Sequence, residues 1–241
     1  MTAKKQSITF VFFVQGKLTV KSNLLNEIGV RHKTDKRGGS EAGHDYLRKY
    51  EFFLRPLRTE KFTLLELGVF KGASLKTWEE YFANAEIIGV DCEPAAAAYA
   101  GGRVSIILGD LSQPGFLETL PTLNPRVVID DASHTWKDQL LALFVIYPVL
   151  MSGGIYIVED LHTSFPPLDT LFNSGQKHSP FEVLLKTAEY MTGNRSPAPI
   201  VPDRCLEPLS LHELFDDEIR LIADQTDAIT FIEKACVLIK K

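Results

Sequence analysis

Cysteine is scarce in this chain. Cys92, Cys205 and Cys236 are the three present, an odd number, widely spaced and without a Cys-x-x-Cys pair, which excludes a disulfide framework and a thiolate zinc knuckle. Long apolar runs are also missing. The longest, Leu140 to Met151, contains a proline and falls well short of the ~20 residues a membrane-spanning helix needs. There is no excess of positive charge, since 26 Lys and Arg face 31 Asp and Glu for a net charge of −5, so a nucleic-acid backbone is not an expected partner. The apolar stretch Ile8 to Val14 stops at Gln15-Gly16-Lys17 without a small-residue cleavage site. No signal peptide is expected from it, and the expected compartment is the cytoplasm.

What is present is ordinary globular composition, 45% hydrophobic and 24% charged over 241 residues, enough for one α/β domain plus a small appendage. Ile8 to Val14 and Lys17 to Val20 flank a short turn and predict a hairpin-like N-terminal extension over residues 1–30. Tyr46, Leu47, Tyr50, Phe53, Leu54 and Leu57 recur at helical steps and predict a helix over 40–57, within a helical cap spanning 31–60. From residue 61 to 241 short apolar runs alternate with helical stretches. Strands are expected at 62–67, 86–91, 104–108, 127–131 and 155–159, with helices at 74–82 and 137–150. Such βαβ order predicts a mostly parallel sheet covered on both faces. Residues 228–232 and 236–239 predict a terminal antiparallel pair. An insertion over 161–202, carrying one helical stretch at 181–191, lies where open α/β sheets bind ligands and is expected to act as a lid.

Three groups of residues carry chemistry. The first strand runs into Gly68-Val69-Phe70-Lys71-Gly72, a turn that brings backbone N–H groups close to a ligand. About 23 residues after Gly68 the next strand ends in Asp91, and the one after that in Gly109-Asp110. Acids at those places suit the ribose hydroxyls of an adenosine-containing cofactor; the competing assignment is a turn or helix-capping role. The other two groups are Asp130-Asp131-Ala132-Ser133-His134 and Val158-Glu159-Asp160-Leu161-His162, each an apolar strand ending in two acids. Neighbouring parallel strands lie ~4.8 Å apart, so Asp131, Glu159 and Asp160 are expected to converge as an oxygen-only site suited to Mg²⁺, with Mn²⁺ also accommodated. The plainer alternative is that these acids cap the next helices and hold Lys or Arg. His134, beside this site, is the best candidate for a general base because imidazole titrates near neutral pH.

These residues resemble the class I S-adenosylmethionine-dependent methyltransferases, and within them a metal-dependent sugar O-methyltransferase group acting on macrolide deoxysugars and rhamnosyl residues, with cephalosporin-hydroxylase-like relatives. The resemblance runs through Thr34-Asp35-Lys36, His44-x-Tyr46-x-x-x-Tyr50-Glu51, Leu65-Glu66-Leu67-Gly68, Ile88-Gly89-Val90-Asp91, Asp130-Asp131-Ala132-Ser133-His134 and Val158-Glu159-Asp160-Leu161-His162-Thr163-Ser164. It implies a Rossmann-like fold with a seven-stranded sheet, S-adenosylmethionine and Mg²⁺ as cofactors, and methyl transfer to a hydroxyl of a sugar or glycosylated natural product. It implies His134 as base and Asp131, Glu159 and Asp160 as metal ligands. Glu66, Gly68, Asp91, Asp110 and Asp130 would be cofactor positions, and Thr34 and Lys36 would close over the methionine end. Ala132 stands where the group has glycine, Phe165 where it has tyrosine, and Phe70-Lys71 makes the first turn less glycine-rich, differences that bear on the acceptor. Alternatives from the same residues are a cofactor- and metal-binding protein acting in another reaction, a catechol-type O-methyltransferase, and a non-catalytic assembly module pairing through its N-terminal hairpin. A homo-oligomer is compatible with all of them.

Overall fold

A computed structural model of the chain describes residues 11–13, 23–39, 43–193 and 211–241. Among the described residues eight strands form one sheet: β1 (Val11–Phe13), β2 (Thr63–Leu67), β3 (Glu86–Asp91), β4 (Val104–Leu108), β5 (Val127–Asp130), β6 (Ile155–Val158), β7 (Thr226–Ile232) and β8 (Ala235–Lys240). Their order is β1-β7-β8-β6-β5-β2-β3-β4, parallel except where β8 runs against β6 and β7. The seven expected strands are all there, β7 and β8 as the antiparallel terminal pair. The eighth, β1, lies outside them and pairs parallel with β7, Val11 opposite Ile229. The second arm of the expected hairpin, 17–20, falls outside the described residues.

The helices are α1 (Leu24–His32), α2 (Tyr46–Leu54), α3 (Ala73–Tyr81), the short α4 (Pro114–Leu117), α5 (Trp136–Ile146), the short α6 (Asp169–Phe172), α7 (Pro180–Met191) and α8 (Leu211–Asp224). Side chains alternate across each strand, so one strand feeds two cores. Leu64, Ile87, Val127, Ile129 and Ile157 point to one face, where α1, α2 and α3 cover them with Leu25, Ile28, Leu47, Tyr50 and Trp78. Leu65, Leu67, Val128, Tyr156 and Val158 point to the other, under Leu143 and Ile146 of α5, Leu184 of α7 and Ile222 of α8.

Three expectations change. A helix, α1, occupies residues 24–32, so the boundary at residue 30 cuts through it. Asn23 starts this helix by accepting the N–H of Asn26 at 2.8 Å, and Lys33 ends it in a left-handed conformation. The helix expected over 40–57 begins only at Tyr46, because Asp45 is itself left-handed at φ 59° and interrupts the chain before it; a single 3₁₀ turn follows over Arg55–Leu57. Of the 161–202 segment, the described part includes α7, whose Val183, Leu184 and Ala188 are buried in the core; residues 194–202 lie outside the described residues. That portion is structural packing, and Ser179 and Glu182 cap it reciprocally. Among the described residues no helix is long and apolar enough to cross a membrane.

Candidate functional site

The crossover in strand order falls between β2, which continues to β3 and β4, and β5, which continues to β6 on the other side. At such a switch point the loops leaving the carboxyl ends diverge and leave a crevice. Here it is a cavity of about 470 Å³ lined by Gly68, Phe70, Asp91, Cys92, Gly109, Asp110, Leu111, Asp131 and Ser133, among others. Gly68 is what allows the first loop to lie so close to the second. With φ at 92°, its missing Cβ would sit 2.1 Å from the Asp131 carbonyl oxygen.

Asp91 organises this turn. Its Oδ2 accepts the Val69 N–H at 2.8 Å and the Phe70 N–H at 3.1 Å, and its Oδ1 accepts the Glu93 N–H at 2.9 Å. The turn-forming assignment is therefore realised, and Asp91 lines the cavity as well. Asp110 is exposed at the opposite wall, where the Ser112 interaction holds its carboxyl below the usual range.

On the other side of Asp131 the acids of β2, β5 and β6 gather. Ligand atoms of Asp131, His134 and Asp160 all come within 4.8 Å of one another. His134 Nε2 is 3.4 Å from Asp160 Oδ2 and 3.9 Å from Asp131 Oδ1. Both His134 and Asp160 hold left-handed backbones, φ 57° and 55°, conformations costing about 1–3 kcal/mol each and met mainly where surroundings enforce them. Thr163 supplies part of that enforcement, its hydroxyl donating to the Asp160 carbonyl at 3.0 Å and to the His134 carbonyl at 3.4 Å. Gln139 donates to the Glu159 carbonyl at 2.8 Å and so ties α5 to the end of β6.

Glu159 is the exception to the expected trio. It is buried, with Oε2 accepting from Lys36 Nζ at 2.7 Å, and it stands outside the Asp131, His134 and Asp160 group. Lys36 also donates to Asp131 and lies 3.8 Å from Glu66. The alternative in which the strand-end acids hold a lysine is thus partly realised. Burial, against the pull of Lys36, drives the Glu159 carboxyl well up and takes Glu66 to about 7.

Four expected cofactor positions do not line the cavity. Lys36 is spent on the acids; Thr34 braces the Lys36 loop, accepting the Lys36 N–H at 3.4 Å. Glu66 faces inward and accepts from Ser74 at 2.8 Å. Asp130 is buried beneath Tyr156, and burial next to Asp131 moves its carboxyl to about 8. Two groups not foreseen complete the surroundings of Asp160: the Tyr46 hydroxyl donates to it at 2.6 Å, and His44 Nδ1 lies 3.4 Å away. Burial alone would raise the Asp160 carboxyl, yet Tyr46, His134, His44 and His162 together hold it below the usual range. His44-x-Tyr46 belongs to the sequence pattern given above, but nothing in its spacing tied it to Asp160.

A divalent cation fits this donor set. Three carboxylates, Glu66, Asp131 and Glu159, surround one ammonium, Asp160 adds a fourth beside His134, and Glu159 Oε1 is a buried oxygen without a hydrogen-bond partner. Buried anionic oxygens in excess of their counter-charges call for a cation or for protons.

A parallel sheet with this switch point, glycine turn and reversed terminal strand is the Rossmann-like fold of the class I S-adenosylmethionine-dependent methyltransferases. The MycE methyltransferase of the mycinamycin pathway, solved in complex with Mg, SAH and mycinamycin VI, shows the same fold at a TM-score of 0.70, with 20% identity, over 90% of this chain and 54% of that one. Over 149 residues, 58% of the chain, the sequence is 34% identical to 8-demethyl-8-alpha-L-rhamnosyl tetracenomycin-C 2'-O-methyltransferase of Streptomyces olivaceus. Over 152 residues it is 32% identical to demethylmacrocin O-methyltransferase of Streptomyces fradiae. The match spans about 38% of the length of each of these two relatives. No family model matches the chain.

Proposed function

We propose that the chain is an O-methyltransferase that moves the methyl group of S-adenosylmethionine to a hydroxyl of a sugar or glycosylated natural product, with Mg²⁺ at the strand-end acids. The observation that carries this is the double position of Asp131, which lines the glycine-turn cavity and also belongs to the Asp131, His134 and Asp160 cluster. A cofactor in that cavity and an acceptor at that cluster would therefore meet across one residue. The sugar methyltransferases of Streptomyces to which the chain is similar support the acceptor class.

In this reading Gly68, Asp91 and Asp110 hold the cofactor, whose adenosine part suits the apolar wall of Val90, Ala96 and Leu111. Asp131 and Asp160 hold the cation, with Glu159 offering its open Oε1. When bound, Mg²⁺ would lower the pKa of the acceptor hydroxyl, which otherwise keeps its proton too firmly for imidazole to remove. His134 takes that proton at Nε2, the nitrogen turned toward Asp131 and Asp160. The protein's further share is alignment of acceptor and donor, which Thr163 supports by tying the His134 and Asp160 backbones together.

The test uses radiolabelled S-adenosylmethionine and a panel of glycosides with neighbouring hydroxyls. Label should pass to a glycoside in Mg²⁺, stop on adding a chelator, and resume when Mg²⁺ is restored. Transfer at an undiminished rate in chelator would remove the metal from the reading, and no transfer to any glycoside or catechol would remove the reaction.

A further inference from the structure

Lys36 is buried, 1% exposed, and stays out of the cavity lining, while its ammonium is bonded to Asp131 and Glu159. It is delivered there by a fixed backbone. The Thr34 N–H donates to the Gly29 carbonyl at 3.1 Å, the His44 N–H to the Asp35 carbonyl at 2.7 Å, and the Leu47 N–H to the Lys36 carbonyl at 3.1 Å. The loop between α1 and α2 is thus pinned at both ends, and a second element of the fold brings a permanent positive charge to Asp131 and Glu159.

We propose that Lys36 is a positioning residue that fixes Asp131 and Glu159 and, as a built-in counter-cation, holds down the site's affinity for a divalent cation; this rests on the metal-dependent reading above. Lys36 and the cation share the Asp131 carboxylate, so their like charges oppose one another across it. Removing Lys36 takes one positive charge from beside Asp131 and Glu159 and leaves Glu66 without its only cationic neighbour among the described residues, so the carboxylates would grip more firmly a cation that the acceptor must reach and leave. The direction of the effect separates this role from mere support. Losing a residue that only braces the ligands loosens the site and weakens binding, whereas losing an opposing charge strengthens it.

The measurement is Mn²⁺ binding to the full chain by electron paramagnetic resonance, without cofactor or acceptor, for wild type, Lys36→Met, Lys36→Gln and Lys36→Arg. The neutral variants should bind Mn²⁺ at least tenfold more tightly, and Lys36→Arg should stay within threefold of wild type. Equal or weaker binding by the neutral variants overturns the proposal, as does absence of Mn²⁺ binding in all four proteins. Should Lys36→Met fail to fold, Lys36→Gln carries the test. A Lys36→Gln chain that stays unfolded in saturating Mn²⁺ also overturns it, because the ion should replace the missing charge. A wild-type chain that shows this Mn²⁺ pattern but transfers no methyl group would end the methyltransferase reading and leave the role of Lys36 standing.

Discussion

Replacing Gly68 by alanine should damage both stability and the site, because that residue separates the two loops that form it. The new Cβ would lie 2.1 Å from the Asp131 carbonyl oxygen, 2.7 Å from its carbon and 2.9 Å from the Ala132 Cα. All three are backbone atoms, so no flexible side chain can swing aside. The φ of 92° adds a conformational penalty, since side chains clash with the backbone there. Such a backbone costs about 1–3 kcal/mol, and overfilling a packed site about 1–3 more, giving a loss of roughly 2–6 kcal/mol. In a chain of this size that lowers the melting temperature by roughly 4–24 °C. Gly115, exposed on α4 with open space where its Cβ would go, is the matched control. Gly115→Ala should be neutral or stabilising by about 0.4–1 kcal/mol through the unfolded chain. Urea and calorimetric melts measure the stabilities, and titration with S-adenosylhomocysteine measures the cavity, where Gly68→Ala should weaken binding at least tenfold. A Gly68→Ala protein within about 0.5 kcal/mol of wild type would refute the reasoning, since the clash term alone exceeds that.

His134→Ala should lower methyl transfer by about 10²–10⁴-fold, the range typical of a lost general base, while S-adenosylhomocysteine affinity stays within a few-fold, because His134 does not line the cavity. Rates near wild type would remove its role as base. Stability in chelator should fall as pH rises from about 5 to 8. Burial holds the Glu66 carboxyl near 7 in the folded chain against an ordinary 4.5, so the folded state keeps a proton the unfolded chain has released. The penalty is absent below the unfolded value and complete above about 7, worth roughly 3 kcal/mol at most. Glu66→Gln should flatten that part of the pH profile, and a slope unchanged by it would assign the effect elsewhere.

The sheet was legible because its strands are short apolar runs closed by turn residues, and burial on both faces leaves them little else to become. Val104 to Leu108 was correctly bounded even though it is the exposed edge. The strand-end acids were legible for the same reason, since a carboxylate closing a buried strand has to emerge where the strand does. Helices outside the sheet were harder. Residues 24–32 carry only Leu25, Ile28 and Gly29 as a buried stripe, too narrow beside Asn26, Glu27 and Arg31 to announce a helix, and residues 211–224 were likewise not foreseen as helical.

Lys36 marks the boundary of what one-dimensional reading can do. The resemblance sets Lys36 over the methionine end of the cofactor, whereas its carboxylate partners lie 95 and 123 positions away along the chain. Charge along a sequence says how many acids a strand end carries, but their behaviour depends on what else is buried with them. Here an ammonium brought in by an unrelated loop takes one oxygen each from Asp131 and Glu159, while Asp160 is served by Tyr46 and three histidines. The carboxylates of one presumed cluster thus divide into two electrostatic settings, one facing Lys36 and one facing imidazoles. Asp131 touches both and lines the cavity too, so it is where the two settings and the cavity wall meet.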